Sequence, residues 1–113
     1  MLASTSACFD VSVFEMFAPL AAGGCIEVVD DLLALAGRPF RGSLVSGVPS
    51  VVASLVCGWS PPPVLDEGSG TVVLAGEGLS GQHMALLRSW VPGARVANIY
   101  GPTEATVYAT AWF

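Results

Sequence analysis

Lysine is absent from this 113-residue sequence, and its basic side chains are four scattered arginines, Arg38, Arg41, Arg88 and Arg95, beside a single histidine, His83. Nine acidic residues bring the net charge to −5 and the isoelectric point to about 4.4. So few and so dispersed cations cannot track a phosphate backbone, which excludes nucleic acid as a partner. The missing lysine also excludes any chemistry that needs an ammonium from these residues.

Charge of either sign is scarce. Only 12% of residues are charged, about half the usual ~25%, whereas 53% are hydrophobic. At 11.6 kDa the chain is one small domain at most, and such a domain normally dresses its large surface in charge. The expectation is part of something larger, with faces that neighbours cover. So apolar a chain collapses, which excludes disorder.

Cys8, Cys25 and Cys57 lie far apart, without paired or metal-ligand spacing. They are expected to be reduced core thiols of an intracellular, cytoplasmic protein. No basic n-region of a signal peptide is present. Residues 42–65 lack charge over a length that spans a bilayer, but they hold Gly42, Gly47, Pro49, Gly58 and Pro61-Pro62-Pro63. A lipid-facing helix tolerates these poorly, so no membrane segment is expected.

Glycine and proline punctuate short apolar segments of alternating type. Residues 10–22 carry Val13, Phe17 and Leu20 at helical spacing, with Asp10 or Ser12 as the cap, Gly23-Gly24 as the stop and Pro19 as a kink or early end. Residues 25–29 and 43–48 read as strands, and Pro49 opens a buried helix through Cys57. A Pro/Gly-rich loop covers residues 59–70, and residues 71–75 form an apolar strand. Ser80 starts a helix with Met84, Leu87 and Val91 on one face, stopped by Pro92-Gly93. Residues 94–100 and 106–113 are the last two strands. Such alternation predicts a layered α/β domain with a largely parallel sheet flanked by helices. Ligands of such sheets sit at the carboxyl ends of the strands, so residues 75–78 and 98–104 are where chemistry is expected.

Asn98-Ile-Tyr-Gly-Pro-Thr-Glu104 carries the most chemical potential. Gly101 admits close approach of backbone to a ligand, and Tyr100 offers a flat face for a base. Thr103 and Glu104 supply a hydroxyl and a carboxylate suited to phosphate and a hard cation such as Mg²⁺. On spacing alone the same residues also suit a Gly-Pro turn with a solvated glutamate. Ala75-Gly76-Glu77-Gly78 suits either a base edge or a strand-to-helix turn. Asp10 is either an N-cap or a partly buried carboxylate that pairs with a ligand ammonium. His83, one position before the apolar face of its helix, is expected to be exposed or satisfied.

Together these segments resemble the adenylation domains of nonribosomal peptide synthetases, in the AMP-forming ligase superfamily. Cys8-Phe-Asp-Val-Ser-Val-Phe-Glu-Met-Phe17, followed by Pro19-Leu20 and Gly23-Gly24, is similar to that family's FDxSVxExFxPLxxGG motif, and Asn98 to Glu104 matches its NxYGPTE motif. The resemblance spans residues 1–113 and implies a partial AMP-binding domain, a slice of the large N-terminal core of an adenylate-forming enzyme. It implies ATP and Mg²⁺ as cofactors, an aminoacyl adenylate as product, and transfer to the phosphopantetheine thiol of a peptidyl carrier protein. Asp10 would then hold the substrate α-ammonium, with Gly76, Asn98, Tyr100 and Gly101 around the base. Thr103 would contact phosphate, and Glu104 would bind the metal.

The side-chain pocket implied by the resemblance is lined by Asp10, Val11, Phe14, Ser46, Val73, Ala75, Ile99, Val107 and Tyr108. Phe14 and Tyr108 are bulky, and no lining residue beyond Asp10 is charged, so a small uncharged amino acid is expected, alanine-like, with glycine or serine close behind. The family's phosphate loop, ribose-binding aspartate and lid lysine are not among these residues. The isolated chain is therefore expected not to turn over. A truncated, degenerate product and a small interaction module are the alternatives.

Overall fold

The computed structural model describes every residue except Pro39, Trp59, Ser60, Ser69, Thr103, Ala105, Thr106 and Phe113. Five short strands lie parallel: β1 (Leu2–Ala3), β2 (Glu27–Val28), β4 (Leu44–Gly47), β6 (Thr71–Leu74) and β7 (Arg95–Tyr100). β8 (Thr110–Trp112) closes one edge antiparallel to β7. The spatial order is β2-β1-β4-β6-β7-β8. A pair of two-residue strands, β3 (Arg41–Gly42) and β5 (Val64–Leu65), forms a separate small sheet. Two-residue strands are too short to show a period, and β5 falls inside what the sequence suggests is loop.

Helices α1 (Val11–Ala21), α2 (Pro49–Cys57) and α3 (Gly81–Trp90) fill the crossovers, with a 3-10 turn over Leu32–Ala36. Their ends follow from the sequence. Pro49 stands in the first turn of α2, where a missing N–H costs nothing. The Ser80 hydroxyl accepts from His83 N at 3.1 Å and caps α3. The Asp31 carboxylate accepts from Leu33 N at 2.8 Å and opens the 3-10 turn.

Register fixes two faces. Val45 pairs with Val72 and Val72 with Val96, while Ser46, Val73 and Ala97 form the next level. Alternation sends these two levels to opposite sides of the sheet. The first side holds the core, where Leu2, Val45, Val72 and Leu74 pack with Leu32, Leu35, Val52, Leu55, Leu87 and Trp90. Helix α1 covers the second side, because its Glu15 carboxylate reaches Ser46.

Helix α1 inverts the expected orientation. Val13, Phe17 and Leu20, with Phe9 before them, point outward, and Phe17 is 64% exposed. The buried residues of this helix are Ser12 and Glu15. Pro19, expected to kink the helix or end it early, does not end it, since the helix continues to Ala21. The cysteine expectation is also corrected: Cys8, Cys25 and Cys57 are all exposed free thiols, because each falls in a loop or at a helix end rather than on a strand. His83 departs in part, being half-buried with Nδ1 enclosed and without a hydrogen-bond partner among the described residues. No helix of the described residues is long and apolar enough to cross a membrane.

Candidate functional site

The carboxyl ends of β1, β4, β6 and β7 lie along one edge of the sheet, and the segments that leave them carry most of the residues singled out above. β1 leads through residues 4–9 to Asp10, β6 leads to Ala75 and Gly76, and β7 runs into Gly101. Because β8 is antiparallel, it begins at the same edge, bringing Val107 and Tyr108 back to it. Ser46, Val73 and Ala97 share the α1 side of the sheet. Ala75, whose N–H still donates to Gly47 O at 3.1 Å, and Ile99 follow by alternation.

Asp10 occupies the N-cap position of α1, yet its side chain makes no cap hydrogen bond. Its Oδ2 is buried with no hydrogen-bond partner among the described residues, and so is the Tyr108 hydroxyl. Tyr108 feels the Glu15 and Asp10 charges, and burial chiefly, with those charges adding, pushes its phenol up from 10.0 to about 12. The Tyr108 ring meets Phe14 edge-on, centroids 5.1 Å apart. Two carboxylates, two aromatic rings and the sheet face thus meet at one place. A buried carboxylate oxygen with an open hydrogen-bonding position is costly unless a donor arrives, and a cation satisfies it best.

Sequence reasoning missed Glu15. Only 1% exposed, its carboxylate accepts from Ser4 N at 2.9 Å, Thr5 N at 2.8 Å, Thr5 Oγ1 at 2.9 Å and Ser46 Oγ. The signal was available: Ser12 and Glu15, three apart, are the two polar residues within an otherwise apolar helix. The bond to Glu15 also engages the Ser46 hydroxyl, so this expected pocket position presents less free polarity than its residue type suggests.

The positions expected on the nucleotide side are more open. Tyr100 is 71% exposed, Gly76 and Glu104 are exposed, and Asn98 and Ile99 are half-buried. Gly76 takes φ +85°, a left-handed conformation natural to glycine. The loop it shapes is tied down by Glu77, whose carboxylate accepts from Ser50 N at 3.1 Å and Ser50 Oγ at 2.8 Å at the start of α2. Gly101 serves a close approach within the chain itself. A Cβ there would stand 2.5 Å from Val107 O and 2.6 Å from Ala109 N. Val107 is the one non-glycine at positive φ (71°) among the described residues, unusual for a β-branched side chain. Val11 is half-buried at the head of α1. Thr103 lies outside the described residues. No group of three His, Cys, Asp or Glu side chains capable of holding a metal occurs among the described residues.

Comparison with known proteins agrees with this architecture. The family described as AMP-binding enzyme matches residues 1–113. The AMB antimetabolite synthetase AmbB of Pseudomonas aeruginosa is 43% identical over 97% of this chain, which spans 9% of that protein. A linear gramicidin synthase of Brevibacillus parabrevis is 39% identical over 97%, spanning 2%. The chain thus covers a tenth or less of either relative. Among solved structures, IdnL7 superposes with a TM-score of 0.75 at 25% identity over 98% of this chain and 24% of its own. The nonribosomal peptide synthetase FmoA3 shares the fold with a TM-score of 0.72 at 24% identity, over 98% of this chain and 13% of its own. With its whole length matched, a mostly parallel sheet carrying its loops at one edge, and peptide synthetases among its relatives, the chain belongs to the AMP-binding enzyme family.

Proposed function

We propose that this chain supplies the amino-acid subsite and part of the nucleotide surface of an adenylating domain in a nonribosomal peptide synthetase. The reaction joins an amino-acid carboxylate oxygen to the α-phosphorus of ATP and expels pyrophosphate. The acyl group then passes to a carrier-protein phosphopantetheine thiol. The observation that carries this reading is Asp10, whose buried Oδ2 lacks a partner among the described residues and suits an α-ammonium group.

Each further role matches its residue's chemistry. Tyr100 presents an open ring for an adenine to stack on. Gly76 and Asn98 flank the base, with Gly101 keeping the adjoining backbone close. Thr103 would contact phosphate, and Glu104 would hold Mg²⁺. Bound Mg²⁺ supplies charge neutralisation on the phosphates. Val11, Phe14, Ser46, Val73, Ala75, Ile99, Val107 and Tyr108 line the side-chain pocket. The edge-on Phe14–Tyr108 pair and the engaged Ser46 hydroxyl favour a small uncharged amino acid, alanine-like. Exposed free thiols suit the reducing cytoplasm.

A segment exchange tests this. AmbB carrying residues 1–113 in place of its matching segment is expected to catalyse pyrophosphate exchange dependent on a small amino acid, and Asp10→Ala is expected to abolish it. Exchange that persists undiminished after Asp10→Ala refutes the ammonium role. The purified 113-residue chain alone is expected to show no exchange.

A further inference from the structure

We propose that Glu15 is a positioning residue that sets Asp10 for the substrate α-ammonium. The inference rests on the ammonium reading of Asp10 given above. The Asp10 side chain has no cap contact to hold it, and its Oδ2 is unpartnered among the described residues; only its backbone carbonyl is tied, accepting from Val13 N at 3.0 Å. What fixes it is the loop that carries it. That loop leaves β1 at Ser4 and Thr5, turns through Phe9 N to Ser6 O at 2.9 Å, and enters α1 through Ser12 N and Ser12 Oγ, both donating to Phe9 O at 3.1 and 2.7 Å.

Glu15, five residues beyond Asp10, reaches back to the start of that loop. Oε2 takes the Ser4 and Thr5 amides, while Oε1 takes the Thr5 and Ser46 hydroxyls. The loop is thereby closed into a ring, pinned to β1 on one side and to β4 on the other. Four hydrogen bonds to one buried carboxylate exceed what holding a helix on a sheet requires, since α2 and α3 pack through apolar side chains. Asp10 sits within the ring. Phe14, the neighbour of Glu15 in α1, meets the Tyr108 ring at 5.1 Å, and both carboxylates help raise the Tyr108 phenol.

The clamp and the charge of Glu15 are separable. Glutamine keeps one oxygen for the two amides, and its amide group can donate to the Thr5 and Ser46 hydroxyls, which rotate to accept. Alanine removes everything. The test is a titration of the ¹⁵N-labelled 113-residue chain with L-alanine and with propionate, which lacks the ammonium. L-Alanine is expected to shift the Asp10 amide of the unmodified chain, and propionate is not. Glu15→Gln is expected to bind L-alanine within about twofold of the unmodified chain, and Glu15→Ala about tenfold or more weaker, with exchange protection at Val72 and Ala97 retained.

Binding by Glu15→Ala equal to the unmodified chain overturns the inference, and so does an equal loss in Glu15→Gln, which would make the role one of charge. If Glu15→Ala loses its protection, Thr5→Val keeps Glu15, both amide bonds and the Ser46 hydroxyl. This variant is expected to weaken binding about twofold, and no change overturns the inference. No response of the unmodified chain to L-alanine, or an equal response to propionate, refutes the ammonium reading itself.

Discussion

Phe14 and Tyr108, ninety-four positions apart in the chain, meet edge to face with ring centroids 5.1 Å apart and planes at 74°. One ring comes from the first turn of α1 and the other from the approach to β8, so their contact joins the two ends of the sequence across the α1 side of the sheet. Edge-on pairs of this kind contribute about 0.5–1.5 kcal/mol beyond the area they bury.

Removing one ring should open the space they fill. In the AmbB segment exchange, Phe14→Ala is expected to widen the amino-acid preference toward larger side chains, read as pyrophosphate exchange across a panel of amino acids. An unchanged preference would mean that this pair does not bound the pocket.

Tyr108 predicts a pH dependence. Its phenol is raised from 10.0 to about 12 in the folded chain, by burial first and then by the Glu15 and Asp10 charges. The folded state therefore holds the proton more tightly than the unfolded state does. The stability linked to this proton is fully present below about pH 10 and is lost as pH rises toward about 12. Denaturant midpoints across that window should fall for the unmodified chain and fall less for Tyr108→Phe.

Gly101→Ala tests the closure of the edge strand. The new methyl would lie 2.5–2.6 Å from the backbone of residues 107–109, where no flexible side chain can yield. A loss of about 3 kcal/mol in urea unfolding is expected. Gly78→Ala is the control, because a Cβ there meets nothing within 4 Å and the change should stay within about 0.5 kcal/mol.

Glu77→Ala removes both hydrogen bonds to Ser50 at the start of α2, a helix whose N-cap residue Val48 contributes no side-chain cap. A cost of about 1 kcal/mol is expected. Faster amide exchange at residues 75–78 should accompany it, since Glu77 is what ties that loop to the helix.

The alternation of strands and helices was legible from glycine and proline punctuation and from apolar runs such as residues 71–74. Ser80 and Pro49 mark helix starts by local chemistry that needs no tertiary partner. Helix α1 shows why the remainder was not. Periodicity identifies an apolar stripe but assumes that the stripe faces inward. Here Val13 and Phe17 are exposed while Glu15 finds its hydrogen-bond partners inside the fold. The donors to Glu15, at Ser4, Thr5 and Ser46, lie outside α1, so the pull on Glu15 is not visible within the helix.

The chain order of the sheet carries a kinetic consequence. β1 is the first strand in sequence, yet it lies between β2 and β4, and Leu2 finds its inner neighbour at Val45. Closing so long a loop must precede the reward for pairing, which slows folding relative to local contacts. The Ser46–Glu15 bond closes within the same span. Chains that have formed their helices but not inserted β1 therefore lack the ring around Asp10. A ligand that recognises Asp10 would distinguish completed molecules from collapsed ones and draw the population toward the completed fold.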